Sequence, residues 1–120
     1  MIALAPSFSG EALPAVTLPP SLNTGFKAAN FSIEKLIEQV DLSLEEIDLF
    51  EINEAFAASS IVVQEQLNIP AEKINIAGGA ISLGHPIGAS GARIVTTLAH
   101  QLKRTKKRFG IASLCIGDVN

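Results

Sequence analysis

Three side chains in this 120-residue sequence could do chemistry together: the amide of Asn53, the imidazole of His85 and the thiol of Cys115. An imidazole that titrates at about 6.5 can accept a thiol proton near neutral pH. A thiol with a pKa of about 8.5 is a modest base, and an adjacent dipole or cation lowers that value. Donors aimed at a developing oxyanion stabilise it by a few kcal/mol each. Read singly, each residue has a plainer role. Asn53 suits a helix N-cap, His85 a turn, and Cys115 a small buried hydrophobe. What joins them is position, because each falls at an expected strand end or in a loop.

His85 stands inside the stretch GGAISLGHPIGASGAR, Gly78 to Arg93. Glycines there permit positive φ and close backbone approach, which leaves room for a ligand beside a base. The spacing of Gly84, Gly88 and Gly91 does not form a dinucleotide fingerprint, and no lysine follows as a phosphate loop requires. His85, His100 and Cys115 lack the paired spacing of a metal site, so no metal is expected.

The elements that must position these groups follow from hydrophobic patterning. Residues 1–25 hold four of the six prolines and no period, which predicts an irregular or disordered arm. Residues 26–120 read as one partial domain. Phe31, Ile33, Leu36, Ile37 and Val40 suit an amphipathic helix. Ser43 to Glu46 has capping-box spacing. Ile47 to Ile52 is apolar enough for a buried parallel strand. A helix is expected from Asn53 or Glu54 to Pro70, then a short strand at Ile74 to Ala77. After the glycine-rich loop, Ile94, Val95, Leu98, Ala99 and Leu102 form one helical face. Phe109 to Ile116 supplies a third strand. This alternation predicts an α/β layered fold with about three strands, some of them parallel, in an incomplete sheet whose edges need covering. In parallel sheets ligands collect beyond the carboxyl ends of strands, where Asn53, His85 and Cys115 would meet.

Composition narrows the partners. The net charge is −3 and 48% of the residues are hydrophobic, with a mean hydropathy of +0.35. That is rich in apolar surface for a small domain, and implies burial against another subunit or against more of a larger domain. The acidic balance argues against nucleic acid, and the basic run Lys103 to Arg108 reads as a solvated helix end without interleaved aromatics. No apolar run approaches the about 18 residues of a membrane span. The opening residues lack the basic leader of a signal peptide, and one cysteine permits no internal disulfide. A cytoplasmic location is expected.

Three segments, in order, resemble the C-terminal signatures of the thiolases, the acetyl-CoA acetyltransferases and 3-ketoacyl-CoA thiolases. They are NEAFA (Asn53 to Ala57), GGAISLGHPIGASGAR and CIG (Cys115 to Gly117). The similarity runs from about Phe26 to Gly117. It implies a layered thiolase-like half-domain and two-step acyl transfer to or from coenzyme A. A cysteine nucleophile carries the acyl group, and His85 activates it. Cys115 acts as acid and base on the second substrate. Asn53 holds a water that joins His85 in an oxyanion hole, and the Gly117 N–H contributes to another. Ala55 and Phe56 lie near the pantetheine arm.

The resemblance further implies an acyl-CoA substrate, no covalently bound cofactor, and pairing with a thiolase N-terminal half or a second copy. In this family the acylated cysteine belongs to the N-terminal half, and Cys115 matches the other, acid/base cysteine. These 120 residues alone are therefore expected to be inactive. Asp118 stands where the family has glycine, and its charge would oppose a developing enolate. A catalytically inactive or purely interacting thiolase-like chain is the alternative. A ketosynthase is disfavoured because those sites usually pair two histidines with the cysteine.

Overall fold

The computed structural model describes residues 2–6 and 26–114, with side-chain environments from residue 33 onward. A three-stranded sheet lies between helices on both faces. Its strands are β1 (Ile2–Pro6), β2 (Leu49–Ile52) and β3 (Phe109–Ser113), in the order β1-β3-β2. β2 runs parallel to β3, with Leu49 opposite Gly110 and Ile52 opposite Ser113. β1 runs antiparallel to β3, with Ile2 opposite Ser113.

Alternation along β2 sends successive side chains to opposite faces. Phe50 and Ile52, with Ile111, pack against Ile33, Leu36 and Ile37 of helix α1 (Phe26–Gln39) and Val63 of helix α2 (Ala57–Gln66). Leu49 and Ala112 face the other way, onto Ile94, Leu98 and Leu102 of helix α4 (Ser90–Thr105). Those three helical positions recur every fourth residue and are each 1% exposed, so α4 lies flat on the sheet. Gly110 permits that approach, because a Cβ there would stand 2.7 Å from Leu98 Cδ1. Lys106 ends α4 in the left-handed conformation, φ 55°, and its N–H returns to carbonyls of the last turn.

The α/β layering and the parallel β2–β3 pair agree with the sequence reading, but several boundaries do not. Ile2 to Pro6 form β1 and are not irregular, while 7–25 lie outside the described residues. The expected strand at Ile74 to Ala77 is reduced to one parallel bridge, Phe50 to Ile74. Asn75 stops it. Its backbone turns left-handed, φ 47°, and its side-chain amide pairs with Ile52 as a strand would, Oδ1 accepting the Ile52 N–H and Nδ2 donating to Ile52 O. The helix expected from Asn53 begins only at Ala57, with Phe56 rather than Asn53 at its cap position. Within the glycine-rich stretch a four-residue helix forms, α3 (Ala80–Leu83). The expected strand to Ile116 is described as far as Ser113. No helix among the described residues is long and apolar enough to cross a membrane.

Candidate active site

β2 and β3 run parallel, so their carboxyl ends open on one edge of the sheet, beside the start of α4. Asn53 continues β2, its N–H donating to Ser113 O at 2.8 Å. Its side chain is 3% exposed and meets His85, with Nδ2 3.4 Å from Nε2. The other ring nitrogen, Nδ1, lies 2.6 Å from Ser90 Oγ. Ser90 is fully buried, and its hydroxyl donates to Pro86 O at 3.1 Å. That hydroxyl has a single proton. One assignment satisfies all three contacts: Ser90 gives its proton to Pro86 O, His85 Nδ1–H donates to Ser90 Oγ, and Nε2 keeps a lone pair toward the Asn53 amide. Nε2 then lies at the strand ends, against the Asn53 amide.

The loop that carries His85 is pinned beside it. Glu54, next to Asn53, accepts from Asn75 Nδ2 at 3.1 Å and from the Ile81 N–H at 3.0 Å. Gly84, φ 91°, closes α3 through its N–H to Ala80 O at 2.8 Å and delivers the chain directly to His85. Only a glycine takes that backbone conformation without strain.

Below the site lies an uncommon charge. Glu51, 2% exposed, points from β2 to the face covered by α4. Burial lifts its carboxyl from an ordinary 4.5 to about 7; Arg93 opposes the rise and Glu54 adds to it. Glu51 Oε2, Asn53 Oδ1, Arg93 Nε and Arg93 Nη1 are buried without a hydrogen-bond partner. At the opposite end of the strands Asp48 behaves conversely. Burial would raise its pKa, but hydrogen bonds from the Phe109 and Arg108 N–H groups, with Lys107 and Lys73 nearby, hold it below 3.8.

Of the residues singled out in the sequence, Asn53 and His85 come together. Ala55 is half-buried beside them, and Phe56 is 73% exposed at the same edge. Cys115 and Gly117 lie outside the described residues, as does Asp118; the described part of β3 ends at the edge where Asn53 stands. His100 is exposed on α4, away from the group. Among the described residues no cluster of three or more His, Cys, Asp or Glu side chains could hold a metal ion.

Sequence reasoning missed Ser90, Glu54 and Glu51. Ser90 had a readable signal, since it precedes Ile94, Leu98 and Leu102 at the same four-residue interval and so heads the buried stripe. Glu51 was visible as a charge inside an apolar strand. Nothing in the local pattern marks Glu54, whose partners lie 21 and 27 residues away.

The α/β layered domain thus carries an amide–imidazole pair at the carboxyl ends of its parallel strands. The chain belongs to the thiolase family: residues 13–120 match the thiolase C-terminal domain. It is 46% identical over 107 residues to the peroxisomal 3-ketoacyl-CoA thiolase 1 of Petunia hybrida, covering 88% of this chain and 20% of that protein. The Bacillus anthracis acetyl-CoA acetyltransferase structure is 41% identical, with a TM-score of 0.72 over 97% of this chain and 26% of that one. The Saccharomyces cerevisiae peroxisomal 3-ketoacyl-CoA thiolase, a five-layered structure of two core domains of identical topology, is 46% identical with a TM-score of 0.70. That match covers 74% of this chain and 25% of that one. The chain thus spans about a fifth to a quarter of these relatives.

Proposed function

We propose that these residues supply the base and oxyanion elements of a thiolase-type acyl-CoA acyltransferase, which cleaves or condenses 3-ketoacyl-CoA thioesters. The observation that carries this reading is the Ser90–His85–Asn53 arrangement, in which Nδ1 is held by Ser90 Oγ and Nε2 faces the Asn53 amide at the strand ends. In the proposed reaction His85 Nε2 takes the proton of the cysteine thiol that becomes acylated. Asn53 holds a water that, with the His85 ring, stabilises one oxyanion. Cys115 exchanges the proton at the carbon next to the second thioester, taking it in condensation and returning it in cleavage. The Gly117 N–H stabilises the enolate oxygen formed there, and Ala55 and Phe56 border the pantetheine arm. Coenzyme A thioesters are substrates in this scheme, with no covalently held cofactor.

The acylated cysteine must lie outside these 120 residues, since Cys115 is the one cysteine among them. A cysteine-bearing thiolase half or another thiolase chain would complete the site. The exposure of Phe56 (73%), Ile81 (65%), Leu83 (62%) and Ile87 (78%) at this edge supports such a cover. The same rim also favours the second reading, a noncatalytic chain that only pairs with another thiolase. Incubation with acetoacetyl-CoA and CoA separates the cases. The 120 residues alone should form no acetyl-CoA, and addition of a cysteine-bearing N-terminal half should restore formation that His85→Ala abolishes. Co-purification without restored turnover would favour the noncatalytic reading; turnover by the lone chain would refute the assignment of the nucleophile. A cytoplasmic location is part of the proposal, and a punctate, peroxisomal distribution of the tagged protein would overturn it.

A further inference from the structure

His85 reaches Asn53 only if the loop between Asn75 and Ser90 is held against the end of β2. Two consecutive residues do the holding. Asn53 meets the imidazole itself, and Glu54 meets the loop ten residues and four residues earlier, at Asn75 and Ile81. Between Ile81 and His85 the chain is a single closed turn, α3, ended by the Gly84 N–H on Ala80 O. Displacement of Ile81 is therefore transmitted to His85 through a short, internally bonded lever.

Gly79 shows how closely the carboxylate sits on the loop. Gly78 and Gly84 have φ of 86° and 91° and are required by backbone conformation. Gly79 has φ −138°, which any residue adopts. A Cβ there would overlap Glu54 Cδ and both carboxylate oxygens, so an alanine would have to push that carboxylate off the loop. The carboxylate is seated directly on the loop backbone. An amide could not replace it, because a Gln side chain offers one acceptor and would turn its NH2 group toward one of two donors, Asn75 Nδ2 or the Ile81 N–H.

We propose that Glu54 is a positioning residue for His85: its carboxylate, seated on Gly79 and shared between Asn75 Nδ2 and the Ile81 N–H, fixes the loop that presents the imidazole to Asn53. The inference rests on the acyl-transfer reading only in the importance it gives to His85; the geometry it asserts is independent of turnover.

The test uses the 120-residue chain and nuclear magnetic resonance. Glu54→Gln attacks the clamp from one side and Gly79→Ala from the other, with exposed Glu72→Gln as control. Both test variants should speed exchange of the Ile81 amide at least about tenfold, as expected for loss of a charge-assisted hydrogen bond. They should also shift or average the two His85 ring nitrogen signals, while the Ile111 amide in β3 stays protected. Faster Ile81 exchange with unchanged His85 nitrogens would overturn the proposal and leave Glu54 a local brace. If Glu54→Gln also loses Ile111 protection, Gly79→Ala decides by the same two readouts, and unchanged His85 nitrogens in that variant overturn the proposal. Neither readout requires a thioester, so failure of the acyl-transfer reading would be seen separately, in the acetyl-CoA assay.

Discussion

Replacing Glu51 by Gln should stabilise the protein at alkaline pH and leave it unchanged in acid. Glu51 is 2% exposed on β2, and its desolvation outweighs the attraction of Arg93, so its carboxyl titrates at about 7 instead of 4.5. The native state therefore binds this proton more tightly than the unfolded chain does. Below pH 4.5 both states hold the proton and the residue costs nothing. As pH rises from 4.5 to about 7 the unfolded chain ionises first, and native stability falls. Above 7 the cost is complete, and a displacement of this size corresponds to about 3 kcal/mol. Protonated Glu and Gln have nearly the same shape and no charge, so Glu51→Gln removes the penalty without opening a cavity. Urea unfolding of both proteins across pH 4 to 9 measures it. The two curves should coincide at the acid end and separate by about 3 kcal/mol at the alkaline end, which is a large share of a small domain's stability. A wild type that is the more stable at pH 8 would refute the reasoning, because the Glu51–Arg93 attraction would then exceed the desolvation cost.

Three further outcomes follow from other parts of the structure. Ser90→Ala leaves His85 Nδ1–H without its acceptor, a loss of about 1.5 kcal/mol, so the preference for the Nδ1–H tautomer should fall about tenfold in ring nitrogen shifts. Asp48→Asn should cost about 1 kcal/mol above pH 4 and flatten the acid limb of stability. The sign follows from a folded pKa below 3.8: the contribution is present above that value and lost as pH falls through the folded pKa. Gly110→Ala should cost about 1–3 kcal/mol by driving a methyl into Leu98 and Leu102, and Leu98→Val in the same chain should recover part of it, measured by thermal unfolding.

Short-range patterning was enough for much of the scaffold. The stripe of Ile94, Leu98 and Leu102 specified α4, because a helix on a sheet buries one face and its period must be carried by the sequence; the apolar runs at Ile47–Ile52 and Phe109–Ile116 pointed to the strands that pair in parallel, because a strand covered on both faces is apolar almost throughout. The motifs around Asn53 and His85 likewise named the pair that meets. Longer-range facts needed the tertiary structure. That Ile2–Pro6 make a strand depends on the open edge of β3, not on their own pattern. That Asn75 replaces a strand with its side chain depends on where β2 ends. The proton location on His85 is set by Ser90, and Gly79 is explained by a carboxylate 25 residues away in sequence. Apart from the Ser90–His85 contact, which spans five residues, each of these joins groups far apart in sequence that become neighbours only when the sheet and the loop at its carboxyl edge come together.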